Sequence, residues 1–255
     1  MELEHYIRME DLVNNPSARI PVCLCLDTSD SMNVLIDTVG AVSTGETRYK
    51  DGQMYTVVKG GGETRLEALQ AGVEEFYRSL QEHEDAKDSA EISLVTFDSE
   101  AKCIQDFGWL EKVKSIPKLK TNGDTHMGEG INLALDLLVQ RKEEYKETGV
   151  DYFQPWLVIM TDGIPNGNQA ELDRAIERVN KMVAAKKLVV IPIAVGDDAD
   201  MEVLKRFHSE VGPKRLQGVQ FKQFFKRLGA SVKICSQSIP GEEDELTAMI
   251  SWDDF

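Results

Sequence analysis

Residues 21–31, with the sequence PVCLCLDTSDS, contain the run that decides the fold. This run is apolar at every position from Pro21 to Leu26 rather than at alternate positions, which is typical of a strand buried on both faces of a parallel sheet. Three later runs are similar: residues 92–97 (ISLVTF), 156–160 (WLVIM) and 188–195 (LVVIPIAV). The four runs together predict a buried sheet.

Segments of helical period lie between and after these runs. The apolar residues recur every three or four positions in four sets: Leu66, Leu69, Val73, Phe76 and Leu80; Ile131, Ala134, Leu135 and Leu138; Leu172, Ile176, Val179 and Val183; Phe224, Phe225, Leu228 and Val232. Strands and helices therefore alternate along the chain. This order predicts an α/β fold with a doubly wound, mostly parallel sheet, helices on both faces and right-handed crossovers.

The two edges of the sheet are predicted from shorter signals. Pro192 lies inside the last run and cannot donate a hydrogen bond to a neighbouring strand, so we expect that neighbour to be short and to lie near residues 214–216. Residues 99–104 are predicted to turn back after the second run as one antiparallel edge strand.

An insertion separates the first strand from its helix. It spans about residues 32–64, whereas α/β connections usually take two to six residues. Residues 47–49 and 54–58 are β-prone and flank Lys50-Asp51-Gly52, a sequence typical of a hairpin turn. We predict an inserted β-hairpin at the carboxyl end of the first strand, where open α/β sheets bind ligands.

Three regions are predicted along the chain: an N-terminal extension (residues 1–16), the α/β domain (17–236, with the insertion at about 32–64) and an acidic C-terminal tail (237–255). The last 20 residues hold six acids and no base. Such a tail is either solvated or a docking arm. Because Trp252 and Phe255 adjoin acids, we hypothesise that it engages a partner or a second copy of the domain.

Composition limits the partners and the location. The 29 basic and 44 acidic residues give a net charge of −15, which disfavours nucleic acid and anionic membranes. The apolar runs are too short for a membrane helix, and the first residues lack the pattern of a secretory signal, so we expect a cytoplasmic protein. The four cysteines form no CxxC pair and are interpreted as reduced residues of the core.

Oxygen-bearing side chains follow the strand-ending positions. Asp27, Ser29 and Ser31 form a D-x-S-x-S pattern after the first strand, and Asp162 follows the third strand within Thr161-Asp162-Gly163. Thr125 lies in GDTHMG (residues 123–128), at the entrance to the second long helix. Three loops at one sheet edge would bring these oxygens together. Such a set suits Mg²⁺, which prefers six oxygens and binds few carboxylates directly, and one open position would accept an external carboxylate.

Simpler interpretations exist for each part. Asp27 can be a strand-end cap, Ser29 and Ser31 turn residues, and Thr125 the N-cap of a helix that begins at Met127. The histidines are scattered without an HExxH pattern, so a zinc site is not expected. Gly60-Gly61-Gly62 lacks the remaining features of a phosphate loop and is interpreted as a hinge.

The three-part pattern resembles the metal-ion-dependent adhesion site (MIDAS) of von Willebrand factor A (VWA) domains, and the strand and helix order matches over about residues 17–236. The resemblance implies that Ser29 and Ser31 bind the metal directly and that Thr125 binds it directly or through water. Asp27 and Asp162 would hold the water shell. It also implies a protein-binding module, not an enzyme, which binds an acidic residue of a partner protein.

A narrower resemblance is to small bacterial VWA proteins associated with tellurium resistance and stress response. It rests on PVCLCLDTSDSM, VTFDSEAK, VIMTDGIPNG, AVGDDADMEVLK and FKQFFKRL. It suggests a metal-dependent protein phosphatase and a protein kinase as partners.

The chain also departs from the family's pattern. Asp30 and Asp124 stand where glycine is common, and with His126 they are candidate rim or additional metal-site residues. An extra carboxylate at either position would favour Mn²⁺ or Ca²⁺ as alternatives to Mg²⁺, or repel an acidic partner.

Two other functions compete with this interpretation. A haloacid-dehalogenase-like metal-dependent phosphatase also places an aspartate after its first strand, and residues 196–200 resemble its late acidic motif. That chemistry needs a second aspartate as general acid two residues later, where this chain has Ser29. The other alternative is a metal-independent scaffold.

Overall fold

Strands and helices alternate along most of the chain in the computed structural model, which describes residues 17–50, 53–113, 115–197, 199–208, 212–216 and 220–240. The strands in these residues are β1 (Ile20–Asp27), β2 (Val42–Lys50), β3 (Gln53–Lys59), β4 (Ala90–Phe97), β5 (Ala101–Gln105), β6 (Trp156–Thr161), β7 (Val189–Val195) and β8 (Lys214–Leu216). The α-helices are α1 (Arg65–Gln81), α2 (Glu84–Ser89), α3 (Met127–Thr148), α4 (Gln169–Ala184), α5 (Met201–Lys205) and α6 (Gln220–Ser236). Short 3₁₀ helices span Asp30–Asn33 and Leu110–Lys112.

Six strands form the central sheet in the order β5-β4-β1-β6-β7-β8. All neighbours are parallel except β4 and β5, which are antiparallel. Alternate residues of β1 face opposite sides of the sheet: Leu24 packs in the core with α1 and α6, and Cys25 packs in the core with α3 and α4. The predicted α/β fold with helices on both faces is therefore confirmed.

The predicted helical faces and sheet edges are also confirmed. All four periodic segments lie within α1, α3, α4 and α6. β8 pairs with β7 only from Ile193 to Val195, so the missing amide of Pro192 costs no bond to that edge strand. The helices α2 and α5 were not predicted, because six and five residues are too few for a periodic signal.

The insertion forms a separate antiparallel hairpin of β2 and β3. β2 begins at Val42, five residues before the predicted strand, and its register shifts between Ser43 and Thr47. Gly45 lies inside this shift with φ of +80°, a conformation that lets the strand continue through the bulge. The predicted turn residues Asp51 and Gly52 lie outside the described residues.

The terminal regions stay predictions. Residues 1–16 and 241–255 lie outside the described residues, so the proposed extension and most of the tail are not described.

The four cysteines are free thiols, as predicted, and Cys103 is the one that is only partly buried. Within the described ranges, every helix is too short or too polar to cross a membrane.

A buried ionic network fixes the amino-terminal end of the sheet. The Glu91 carboxylate accepts hydrogen bonds from Arg141 Nε at 2.7 Å and from the Tyr145 hydroxyl at 2.6 Å. Arg19 Nε lies 3.6 Å from the other carboxylate oxygen of Glu91. All four side chains are almost fully buried, so the network joins β1, β4 and α3 in a region of low dielectric constant.

Glu91→Gln is expected to lower the free energy of unfolding by about 3 kcal/mol, because it removes the buried anion that lies between Arg19 and Arg141, although Arg141 keeps its second partner, Glu144. Urea denaturation would measure this. Glu111→Gln is the matched control: Glu111 is an exposed partner of Lys87, and its substitution is expected to leave the midpoint unchanged. Equal effects of the two substitutions would contradict the importance of the network.

Candidate metal site

Asp27 is fully buried at the carboxyl end of β1. The apolar strand before it carries the carboxylate into the sheet, between β4 and β6. One carboxylate oxygen accepts the Ser29 amide at 2.8 Å, and the other accepts the Thr161 hydroxyl at 2.5 Å. Both oxygens are thus oriented from within the protein, and the site begins with a fixed anion.

A chain of hydroxyl groups joins the first loop to the third. Ser29 Oγ lies 2.9 Å from Ser31 Oγ, and the Ser31 hydroxyl donates to Asp162 Oδ1 at 2.6 Å. All three side chains are buried. Residues that are 131 positions apart in sequence are therefore in direct contact, as expected for loops that leave parallel strands at one edge.

Thr125 completes the predicted set from the middle loop. Its amide donates to Asn166 Oδ1 at 2.8 Å, while its buried hydroxyl has no hydrogen-bond partner among the described residues. A β-carbon added at Gly163 would lie 3.1 Å from Thr125 Oγ1 and 3.7 Å from Ser31 Oγ, so both hydroxyls border this glycine. The interpretation of Thr125 as a helix N-cap is wrong, because His126 occupies that position.

Hydrogen bonds hold the middle loop against the first. The Asp30 amide donates to the Gly123 carbonyl at 3.0 Å, and the Asn122 amide donates to the Thr28 carbonyl at 2.9 Å. Gly123 has φ of +55°, and a β-carbon there would lie 2.1 Å from Ser99 Oγ. A side chain at this position would therefore displace the loop that carries Thr125.

Arg65 is a charged residue of the site that the sequence prediction missed. Its Nη1 lies 2.8 Å from Asp162 Oδ2, and both side chains are largely buried. A β-carbon at Gly196 would lie 2.7 Å from Arg65 Nη2, so this glycine leaves room for the guanidinium group. Asp162 therefore contacts a serine hydroxyl with one oxygen and an arginine with the other.

Burial and charge repulsion dominate the electrostatics. The pKa of Asp27 is raised from 3.8 to about 7, mainly by burial and also by the negative charge of Asp162, although hydrogen bonds from Ser29 and Thr161 oppose the shift. Two adjacent buried carboxylates therefore create a strongly negative site that favours a bound cation.

The three candidate rim residues lie outside this buried set. Asp124 is exposed, and its carboxylate accepts the Asn166 side-chain amide at 3.4 Å. His126 Nδ1 lies 4.0 Å from Glu129 Oε1. Asp30 is half-buried at the start of the first 3₁₀ helix. The structure thus brings together Asp27, Ser29, Ser31 and Asp162 with Thr125 beside them, and leaves Asp30, Asp124 and His126 around the margin.

The inserted hairpin forms a wall beside the site. A groove of about 410 Å³ lies between the hairpin and the 3₁₀ helix that follows Ser29, and its lining includes Asp30, Asn33, Arg48, Tyr55 and Val57. The outer positions Val42, Tyr49 and Met54 are about two-thirds exposed. The insertion therefore forms one side of a groove that reaches Asp30, and it adds exposed apolar surface on the hairpin.

The donor set fits a hard cation rather than zinc. No group of three or more His, Cys, Asp or Glu side chains is placed to hold a metal ion in the described residues. The five candidate residues instead offer three hydroxyls and two carboxylates, the ligand types that Mg²⁺ and Ca²⁺ prefer. The unpartnered Thr125 hydroxyl is one oxygen that a bound cation would satisfy.

The chain belongs to the von Willebrand factor type A domain family, whose model matches residues 22–227. This match spans the sheet from the third residue of β1 onward and all the candidate metal-site residues. The expected VWA membership is therefore confirmed. No curated protein matches the sequence.

Solved structures show the same fold at low sequence identity. The vWF domain of the type V pili tip protein Mfa5 from Porphyromonas gingivalis has a TM-score of 0.56 at 11% identity, covering 89% of this chain and 99% of that one. A von Willebrand factor type A protein from Catenulispora acidiphila has a TM-score of 0.53 at 15% identity, covering 85% and 43%. Proximal thread matrix protein 1 from the mussel byssus, with a zinc-occupied MIDAS motif, has a TM-score of 0.52 at 17% identity, covering 87% and 47%. This chain spans less than half the length of the last two proteins.

Asp27→Asn is expected to stabilise the chelator-treated protein at pH 8, because it removes one of two adjacent buried charges. We expect the thermal midpoint to rise by about 3 °C or more. The raised pKa of Asp27 means that the wild type loses stability as the pH rises from about 4 to 7, since the folded state keeps a proton that the unfolded state releases.

The difference between variant and wild type should therefore shrink at pH 5, where Asp27 of the wild type is protonated. Glu177→Gln, on the exposed face of α4, is the control and should show no such pH dependence. A lower midpoint for Asp27→Asn at pH 8 would contradict the prediction.

Proposed function

We propose that this VWA domain binds a divalent cation at Asp27, Ser29, Ser31, Thr125 and Asp162, and through the cation an acidic residue of a partner protein. The observation that carries the proposal is the buried Thr125 hydroxyl, which lacks a partner among the described residues and borders the same glycine as Ser31. A buried hydroxyl without a hydrogen bond is costly, and a cation ligand sphere would remove that cost.

The roles of the residues follow the family pattern. Ser29 and Ser31 would bind the cation directly, Thr125 directly or through water, and Asp27 and Asp162 would hold the water shell. Neutral hydroxyl ligands leave the cation electrophilic, which is the chemistry needed to attract an external carboxylate. Mg²⁺ is the proposed cation, with Mn²⁺ or Ca²⁺ as alternatives.

The biological setting rests on resemblance alone. The likeness to bacterial tellurium-resistance and stress-response VWA proteins suggests a signalling complex with a protein phosphatase and a protein kinase. A cytoplasmic location is supported by four free thiols, three of them buried.

We propose that the domain is not an enzyme. The alternative phosphatase chemistry needs a general acid two residues after Asp27, and Ser29 cannot supply one. In addition, Asp200 of the acidic segment caps α5, and its carboxylate accepts the amides of Glu202 and Val203 at 3.0 Å each. That carboxylate has a structural role, which favours a binding function over the phosphatase.

Calorimetric titration of Mg²⁺ and Mn²⁺ into the chelator-stripped protein is the direct test. We expect saturable binding to the wild type and none to the Asp27→Ala, Ser29→Ala double variant, because it removes an anion and a direct ligand. A double variant of two exposed residues on α4, Asp173→Ala and Glu177→Ala, is the control and should bind as the wild type does.

A second step tests the partner. Capture of a protein from cell lysate should require the cation and should be abolished by chelator and by the double variant. Binding of the cation without any effect of chelator on capture would instead favour the metal-independent scaffold.

A further inference from the structure

The position of Arg65 is fixed by the start of α1. Thr64 forms a capping box with Glu67: the Glu67 amide donates to Thr64 Oγ1 at 3.2 Å, and the Thr64 amide donates to Glu67 Oε2 at 2.9 Å. The Arg65 amide also donates to the Val34 carbonyl at 3.0 Å, just beyond the loop that carries Ser29 and Ser31. The first residue of the helix is therefore anchored beside the site.

The Arg65 guanidinium is an internal cation of this anionic site. Its contact with Asp162 is direct and buried, and Gly196 leaves room for it. Asp98, a further buried carboxylate nearby, is held by other groups: the Thr28 hydroxyl at 3.3 Å, the Asn122 side chain at 3.2 Å and the Glu100 amide at 3.0 Å. Asp162 contacts the Ser31 hydroxyl directly, Asp27 accepts the Ser29 amide, and Arg65 meets the hydroxyl chain through Asp162.

The charges of Asp27, Asp162 and Arg65 determine how the site would respond to a cation and to a carboxylate. Taken by themselves, the two ionised carboxylates and the guanidinium sum to −1, so a bound divalent cation brings these groups to +1, and one external carboxylate brings them to zero. Without Arg65, the cation alone would neutralise the site, and an added carboxylate would make it negative. Because the groups are buried, these differences are weakly screened by solvent and salt.

We propose that Arg65 weakens binding of the divalent cation in the absence of a partner and strengthens binding of a carboxylate to the cation-loaded site. This inference rests on the proposed function. The two binding events are coupled by the attraction between the cation and the carboxylate, and Arg65 shifts the affinities of the two steps in opposite directions. Arg65 is thus a positioning and tuning residue of the site rather than a ligand of the cation.

The test uses the full chain with Arg65→Met, the charge-retaining Arg65→Lys, and Arg78→Met as a control at the exposed end of the same helix. Mn²⁺ is titrated alone into chelator-stripped protein, and acetate is then titrated into the Mn²⁺-saturated protein, followed by water-proton relaxation. Circular dichroism verifies that each variant is folded.

We expect Arg65→Met to tighten Mn²⁺ binding about tenfold and to weaken acetate binding about tenfold, while Arg65→Lys and Arg78→Met stay within about threefold of the wild type. The opposite signs are decisive, because a residue with only a structural role would weaken both steps together. If Mn²⁺ binds to Arg65→Met but not to the wild type, the role of Arg65 as an opposing charge is upheld, but the proposed function of the wild type is contradicted.

Two results would overturn the inference. If the wild type binds Mn²⁺ and Arg65→Met binds both ligands equally well or more weakly, Arg65 does not tune the site and the proposed function stands. If neither the wild type nor Arg65→Met binds Mn²⁺, both the inference and the proposed function fail.

Discussion

The burial of Asp27 at the end of β1 is the constraint on which the site depends. A carboxylate between two central strands is costly unless other groups compensate for its lost hydration. The Ser29 amide and the Thr161 hydroxyl give it two hydrogen bonds, and Ser31 and Arg65 do the same for the neighbouring Asp162. Three loops are thereby ordered around two anions, and this order is what allows the edge of the sheet to be proposed as a binding site.

The two ends of the sheet handle buried charge differently. At the amino-terminal end, Glu91 is surrounded by two arginines and a tyrosine, so its carboxylate is compensated from within the protein. At the carboxyl end, Asp162 contacts Arg65, Asp27 is held by neutral donors, and the Thr125 hydroxyl is left without a hydrogen-bond partner among the described residues. In the first arrangement, cations of the protein itself surround the buried carboxylate. The second needs a further positive charge, which is the physical basis for proposing a cation there.

Much of the fold was predictable because its signals are local. The continuous apolar runs indicate strands buried on both faces, and the D-x-S-x-S pattern places Asp27, Ser29 and Ser31 on one tight loop at a strand end. Thr125 and Asp162 were predicted for the same reason, since topology brings strand ends to one edge.

Arg65 was missed because its contact with Asp162 spans 97 residues and no local pattern indicates it. The capping box from Thr64 to Glu67 is the signal that would have fixed the helix start, and with it the position of Arg65 at the sheet edge. Glu91 and Arg141 gave no comparable signal, because a charged residue within an apolar strand does not reveal its partner.

Asp30 and Asp124, which depart from the family's usual glycines, lie at the margin of the candidate metal site. Each replaces a glycine that is common in the family pattern, yet neither belongs to the buried set, because Asp124 is exposed and Asp30 is half-buried beside the hairpin groove. Their charges act through solvent and are screened within about 8 Å at physiological ionic strength. Under the proposed function, they would attract a cation and repel an approaching acidic partner to a similar, modest extent. The Arg65 charge has the opposite sign and acts within the buried site, where screening is weak. Under the proposed function, selection between a cation alone and a cation with a carboxylate would therefore depend on the arginine inside the site more than on the aspartates around it.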